Sequence, residues 1–431
     1  MIDKINKFVD KNVVLIFTIF IFIQPFLDAL TGIMLYSFNS NITFSSIIRI
    51  LFFVFCIYYL LFIGNKKNKK VLYILLLYSS IFLIVNVVFK MRSNFYLEFK
   101  YLLNSIYFPV LLMFIFEILK DKHINKINLF KTLIIYILLI FIPNIFNIGF
   151  DSYAYSKTGS NGFFYSANAI GNIISIISPL YLSYLIINKK RLYLLVFLIM
   201  YIYILVTLGT KAPLLCALII FIYFIISYTI KLFKAKKYIY LSFELVILIV
   251  ITFTFINIIP KTPFYKNLVI HLEYLKIESL SDLLTLKNID HFLFGSRLTF
   301  FKEELNIFNN SNIFQKLFGI GYSYENKLMK IAEMDYFDTF IHHGIFGFLI
   351  IYLNYFIMLI NIFKCYLKKF NKNFLDINKS LKVISIVISI LCALLTGHEL
   401  ATPSVSIFVS LIIVIVYNEF HMYKENDVSN I

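Results

Sequence analysis

Apolar runs of about twenty residues alternate with short polar segments along most of the chain. A helix needs about 20 apolar residues to cross a hydrocarbon core of about 30 Å, so each run predicts one membrane span. Twelve spans are predicted, at Val13–Leu35, Phe44–Ile63, Val71–Phe89, Tyr101–Leu119, Leu129–Ile148, Ala169–Ile187, Leu192–Leu208, Pro213–Ile230, Tyr238–Ile259, Ile341–Phe363, Val383–Leu395 and Pro403–Tyr417. This pattern is typical of an all-α integral membrane protein.

One long polar stretch, residues 260–340, interrupts the alternation and holds ten of the 23 acidic residues. It divides the chain into a membrane domain of nine helices (1–259), a loop (260–340) and a membrane part of three helices with a tail (341–431). A protein that only spans or conducts has little need for such a loop. We therefore expect it to carry chemistry at the membrane surface.

The composition excludes an ordinary soluble domain, because 60% of the residues are hydrophobic and only 15% are charged. Most of the 40 Lys and Arg residues fall in every second loop, starting with the N-terminal segment. By the positive-inside rule those loops are cytoplasmic, which predicts both termini inside and the long loop outside. The net charge of +17 then follows from topology. We expect no nucleic-acid partner, since the basic residues are scattered at helix ends.

The cysteine spacing predicts neither a disulfide framework nor a zinc site. The four cysteines lie in or beside spans, without a Cys-x-x-Cys pair or a histidine at ligand spacing. An Asp-x-Asp motif is also absent. We therefore expect no metal and no other cofactor.

Ionisable residues inside predicted spans are costly and are treated as functional candidates. Asp28 and Arg49 fall at similar depth in the first two spans. Two interpretations are open: a buried ion pair that holds two helices together, or an Arg49 that faces an outward cavity and binds an anionic headgroup while Asp28 orients it.

The tripeptide Gly209-Thr210-Lys211 forms the short external turn between two predicted spans. It is either a plain glycine turn with an interfacial lysine or an anion site. The second interpretation rests on the scarcity of cations on the outer side and on the helix predicted to begin near Pro213. A helix N-terminus favours bound phosphate groups, so a diphosphate would be well placed there.

Several short motifs occur in a fixed order. They are Gln24-Pro-Phe-Leu-Asp28 with Thr31-Gly32, Lys157-x-Gly-x-x-Gly-Phe-Phe-Tyr-Ser-Ala-Asn168, Gly-Thr-Lys211, Gly-Ser-Arg297, Phe318-Gly-Ile-Gly321, and the passage from Glu333 to Gly344-x-x-Gly347. With them the chain resembles the O-antigen ligase and polymerase superfamily. Its members are bacterial integral-membrane glycosyltransferases of the GT-C type that act on glycans linked to undecaprenyl diphosphate.

The resemblance implies that Arg297 and Lys211 bind the lipid diphosphate, with Arg49 as a further candidate. Ligases usually carry arginine where this chain has Lys211. The ammonium of lysine is a point charge, whereas the guanidinium of arginine can donate two parallel hydrogen bonds to one phosphate. They also place a histidine about eleven residues before the Gly-x-x-Gly pair, where this chain has Glu333. This departure favours the polymerase branch.

A lipid diphosphate is already a good leaving group, so the enzyme has to hold its charge and deprotonate a sugar hydroxyl. Glu333 is the first candidate base. Asp335 and Asp338 are candidates for binding sugar hydroxyls or for the base itself, against the alternative of a solvated acidic helix start. His342, His343 and His398 could line the same site. The alternative for His342 and His343 is an interfacial pair at the membrane surface, and the alternative for His398 is a helix cap. Gly344 and Gly347 are predicted to allow close helix packing.

We therefore expect a polymerase that joins undecaprenyl-diphosphate-linked oligosaccharide repeat units at the outer face of a bacterial plasma membrane. Its partners would be that lipid-linked oligosaccharide, membrane lipid, and a chain-length regulator or flippase of the same pathway. Three alternatives stay open: a ligase that moves finished glycan to another acceptor, a flippase or transporter of the same lipid, and a non-catalytic scaffold. A transporter often shows two related halves, and the sequence shows no internal repeat.

Overall fold

The computed structural model describes residues 2–38, 43–90, 93–120, 126–152, 158–240, 259–277, 279–325, 327–397 and 399–428, with single positions at 242, 246 and 257. The helices are α1 Ile2–Phe38, α2 Phe44–Phe62, α3 Lys66–Leu83, α4 Phe95–Lys120, α5 Lys126–Ile145, α6 Ala167–Ile187, α7 Arg191–Leu208, α8 Lys211–Lys234, α9 Pro263–Tyr274, α10 Leu280–Leu283, α11 Leu286–Ile289, α12 Arg297–Asn309, α13 Ile313–Phe318, α14 Asp335–Lys368, α15 Phe370–Leu375, α16 Ile377–Leu395 and α17 Pro403–Val428. Two short antiparallel hairpins pair β1 Phe150–Asp151 with β2 Ser160–Gly162 and β3 Ser323–Tyr324 with β4 Lys327–Leu328.

Eleven helices among the described residues are long and apolar enough to cross a membrane. They are α1 to α8, α14, α16 and α17, and each coincides with one predicted span. The all-α membrane fold is therefore confirmed. The ninth predicted span, Tyr238–Ile259, falls largely outside the described residues and stays a prediction.

Helices α4, α6 and α17 form the centre of the bundle. The buried share of their most apolar stretch is 72%, 83% and 78%, against 28% for α7 and α8. Small side chains bring α16 close to α6, where the Ser385 hydroxyl donates to the Ile176 carbonyl. Close approach and interhelical hydrogen bonds of this kind hold membrane helices together without a hydrophobic driving force.

Helix α14 is broken near its start. It begins at Asp335, six residues before the span predicted from Ile341, and Gly344 interrupts it with φ 70° and ψ −176°. That backbone conformation is essentially restricted to glycine. Gly347 has the packing role predicted for both glycines, since a Cβ there would collide with the Tyr78 hydroxyl. Gly344 was predicted to do the same, and the structure shows that it also ends a short helix of residues 335–343.

The polar stretch of residues 260–340, called the insert from here on, packs against this break. The carbonyls of Ile341 and His342 accept hydrogen bonds from the backbone N–H groups of Ile320 (3.2 Å) and Gly321 (3.1 Å). A Cβ on Gly319 would collide with the His342 carbonyl. The Gly-Ile-Gly segment therefore lies directly on the broken turn of α14, and only glycine fits at its first position.

Candidate active site

A cavity of about 170 Å³ lies between the turn at residues 209–212 and the polar insert. Lys211 and Arg297, the two cations chosen from the sequence, both line it, together with His271 and Thr396. We call it the two-cation cavity. Motifs far apart in the chain thus meet at the end of α7 and the start of α8.

Asn267 on α9 fastens the insert to this turn. Its Nδ2 donates to the carbonyls of Thr158 (2.6 Å) and Gly209 (3.3 Å), and its Oδ1 accepts from the Thr158 N–H (2.6 Å). Asn267 is buried, so these bonds fix one wall of the two-cation cavity. The sequence carried no signal for this residue.

Lys211 is the first residue of α8, two positions before the predicted start. Its ammonium donates to the Phe292 carbonyl, lies 4.0 Å from the centre of the Phe292 ring, and is 3.5 Å from His271 Nδ1. The positive end of the α8 dipole adds to this charge. Lys211 therefore belongs to the membrane domain, while its neighbours Phe292 and His271 belong to the insert.

Arg297 begins α12, and Asp290 holds it in place. The Asp290 carboxylate accepts from the N–H groups of Leu298 and Thr299, each at 2.9 Å. It thereby caps a helix whose own cap residue, Ser296, has a left-handed backbone (φ 67°) and no side-chain cap. The Arg297 guanidinium forms an ion pair with Glu333, with Nη2 3.0 Å from Oε2.

Glu333 has a partly exposed side chain and a strained backbone. Its side chain is 45% exposed, against 16% for its partner Arg297. Its backbone is left-handed (φ 62°), which is uncommon outside glycine, and its carbonyl packs so closely on Gly397 that a Cβ there would collide with it. Strained residues of this kind cluster at functional sites. Glu333 as the base stays a prediction, now with a defined neighbour.

Asp335 and Asp338 are buried, and each accepts hydrogen bonds from backbone. Asp335 Oδ2 accepts from the N–H groups of Glu399 (2.9 Å) and Leu400 (2.8 Å), and Asp338 Oδ2 accepts from Met334 (2.8 Å). Burial raises the pKa of Glu399, and the neighbouring Asp335 charge raises it further. These contacts position the start of α14. A role in catalysis or in sugar binding remains a prediction for both aspartates.

His342 and His343 are fully buried under the insert. His342 Nδ1 donates to the Gly321 carbonyl at 2.7 Å, and His343 Nδ1 is 2.8 Å from the Tyr78 hydroxyl. Neither is among the residues that line the two-cation cavity, so their place at the site is still only predicted. His398 lies outside the described residues.

Arg49 belongs to a polar network between α1, α2 and α5. Its guanidinium lies 2.5 Å from Asp28 Oδ1 and donates to Gln24 Oε1 from Nη2 at 2.9 Å. Tyr136 donates to the other Asp28 oxygen at 2.6 Å. This geometry agrees with the interpretation of a buried ion pair. Binding of a lipid headgroup by Arg49 remains a prediction.

A second anchor of the insert is formed by residues with no distinguishing pattern in the sequence. Glu98 on α4 is fully buried and accepts from the N–H of Tyr322 (2.9 Å) and from the N–H and hydroxyl of Ser323 (2.8 and 2.6 Å). Lys90 lies 3.9 Å from Glu98 and donates to the Ile320 carbonyl at 2.6 Å. The pair therefore gives the insert a second point of attachment besides α14.

We expect Glu98→Gln to lower the stability of the folded protein by about 3 kcal/mol, because it removes the charge from a buried hydrogen-bonded pair and points an amide N–H at backbone donors. The check is the midpoint of thermal unfolding in detergent. Glu303→Gln, which changes an exposed carboxylate on α12, is the matched control. Equal midpoints for the two variants would contradict the anchoring role.

The fold and the two-cation cavity define a multi-pass membrane protein with a cationic site at the ends of its helices. The chain belongs to the family of O-antigen ligase like membrane proteins, whose model matches residues 10–282 and 276–421. This membership confirms the resemblance and makes the chain a glycan-processing membrane enzyme of the glycosyltransferase type. No curated protein matches it.

Proposed function

We propose that the protein is a polymerase that joins oligosaccharide repeat units carried on undecaprenyl diphosphate at the outer face of the bacterial plasma membrane. The observation that carries the proposal is the meeting of Lys211 and Arg297 at one cavity with Glu333 on the second cation. The proposal takes both termini to be cytoplasmic and the insert external, as the distribution of Lys and Arg favours.

The reaction breaks the bond between the donor's anomeric carbon and a diphosphate oxygen, and it forms a bond from that carbon to an acceptor hydroxyl oxygen. Glu333 takes the proton of that hydroxyl. Undecaprenyl diphosphate leaves with the electrons of the broken bond, and Lys211 and Arg297 stabilise its growing charge. The N-terminus of α8 adds backbone donors for a phosphate group.

A ligase that transfers finished glycan to another acceptor would use the same groups, and the family's description supports keeping it as the second candidate. The substitution of Glu333 for the histidine usual in ligases favours the polymerase. A transporter of the same lipid would need cations at the diphosphate but no base beside them.

The deciding experiment is the length profile of lipid-linked glycan in cells with the native protein, a deletion or Arg297→Ala. We expect long chains only in native cells and single repeat units in the deletion strain. Arg297→Ala should polymerise about 100-fold more slowly, because one charge-stabilising donor is lost. Lys302→Ala, at an exposed position on the same helix, should keep the native profile.

Other outcomes would change the assignment. Long chains that persist on the lipid in the deletion strain would exclude a polymerase and would support the ligase if transfer to the final acceptor is lost. Single units that accumulate in the cytoplasmic leaflet, protected from reagents added outside, would indicate a transporter.

A further inference from the structure

Three buried ionisable side chains meet where α12 packs on the short first part of α14. Glu304, Asp338 and His342 are 2%, 8% and 0% exposed. One donor atom of each lies within 4.8 Å of the other two, and His342 Nε2 is 3.2 Å from Glu304 Oε1. The cluster is separate from the residues that line the two-cation cavity.

The two carboxylates are not balanced by the surrounding protein. Glu304 Oε2 and Asp338 Oδ1 are buried and have no hydrogen-bonding partner among the described protein atoms. A protonated His342 would neutralise only one of the two charges. An unpaired carboxylate in a buried site costs several kcal/mol unless a cation or a proton compensates it.

Each member of the cluster is oriented from behind. His342 Nδ1 donates to the Gly321 carbonyl at 2.7 Å, which places the proton on Nδ1 and directs Nε2 at the carboxylates. The Tyr322 ring stacks on the imidazole at 4.4 Å between centroids. Asp338 uses Oδ2 for the Met334 N–H and leaves Oδ1 for the cluster. Histidines that bind metals are held in this way, with the second ring nitrogen on a carbonyl or carboxylate.

We propose that Glu304, Asp338 and His342 bind one divalent transition-metal ion, zinc or manganese. Two carboxylates and one imidazole are donors that suit these ions. Tetrahedral ligands about 2.1 Å from an ion lie about 3.4 Å apart. The His342–Glu304 pair already has this spacing, and the other donor atoms, within 4.8 Å of one another, would have to approach by up to about 1.4 Å. The missing Asp-x-Asp motif argued against a metal, but this donor set is assembled by the fold rather than by a local motif.

The ion acts as a clamp between two helices. Arg297 is the first residue of α12, and α14 begins two residues after Glu333. A metal that joins Glu304 to Asp338 therefore fixes the segments that carry the Arg297–Glu333 pair. Its role is positioning, and the binding itself does not depend on the proposed polymerase activity.

The test measures metal rather than glycan transfer. Tag-free protein in detergent should contain about one zinc or manganese ion per chain by elemental analysis. Treatment with EDTA should remove the ion and lower the thermal unfolding midpoint, and Zn²⁺ or Mn²⁺ should restore the midpoint where Mg²⁺ and Ca²⁺ do not. Glu304→Gln, Asp338→Asn and His342→Gln should each weaken binding at least tenfold, while Glu303→Gln should bind as the native protein does.

The proposal is wrong if native protein titrated with Zn²⁺ and Mn²⁺ binds neither at micromolar concentration and its unfolding midpoint ignores EDTA. Such a result would assign the cluster to proton sharing between two carboxylates and an imidazole. Equal metal content in native protein and in all three variants would place the ion elsewhere and would also overturn it. If the variants do not fold, the titration of the native protein decides alone. None of these outcomes bears on the polymerase proposal.

Discussion

Glu333→Gln is expected to slow glycan transfer about 1,000-fold, since a positioned general base typically contributes 10²–10⁴ in rate. Glutamine has the same shape and can still accept a hydrogen bond from Arg297, but it cannot take a proton from a sugar hydroxyl. The measurement is the rate at which purified protein in liposomes lengthens lipid-linked repeat units. Donor binding should change little, because Lys211 and Arg297 remain.

Glu333→His separates a base from a merely structural carboxylate. An imidazole titrates about two pH units above a carboxyl group in model peptides. A base works only when deprotonated, so the loss of rate toward low pH should begin about two units higher in Glu333→His than in the native protein. A low rate in this variant that is independent of pH would mean that Glu333 only holds Arg297. Full activity in Glu333→Gln would exclude Glu333 as the base.

The sequence was enough to place the membrane spans because that signal is local. About twenty apolar residues in a row define a span whatever the rest of the chain does, and eleven of the predicted spans appear among the described residues. The pairing of Lys211 with Arg297 needed the family motifs, since no local pattern joins a turn between two spans to a helix in the insert.

The residues that anchor the insert could not be predicted from the sequence, because their contacts are long-range. Glu98 resembles any acidic residue near a span end, and Glu304 resembles the polar face of a surface helix. Their roles come from contacts with residues far away in the chain, Ser323 and His342 respectively. Such pairings are set by the tertiary fold, and a single sequence carries no pattern for them.

Gly344 was predicted as a packing glycine beside Gly347, because small residues one helical turn apart on a membrane helix usually indicate close helix contact. The spacing does not distinguish a glycine that admits a neighbour from one that breaks the helix. The break at Gly344 goes with tertiary contacts: the carbonyls of Ile341 and His342 accept hydrogen bonds from residues 320 and 321 of the insert. The local sequence does not show these contacts.

Gly344→Ala should destabilise the protein by about 4 kcal/mol or more, which is enough to abolish folding of many chains. The backbone at φ 70° and ψ −176° is strained for any residue with a Cβ. In addition, the new methyl group would lie 2.6 Å from the Leu317 carbonyl and would collide with the Gly319 nitrogen. The check is the yield of folded protein and its unfolding midpoint in detergent.

Gly295→Ala is a control for a left-handed glycine without crowding, since Gly295 lies in the ordinary left-handed region (φ 62°, ψ 39°). Gly295 has the same sign of φ, 62°, but among the described residues a Cβ there would meet only Arg297 Nη1, at 3.7 Å. It should therefore cost only the left-handed backbone penalty of about 1 kcal/mol. Similar losses in the two variants would show that the docking of the Gly-Ile-Gly segment on α14 adds nothing. A much larger loss at Gly344, where the backbone is restricted to glycine and the new methyl group collides with Leu317 and Gly319, would show that the fold depends on the broken turn.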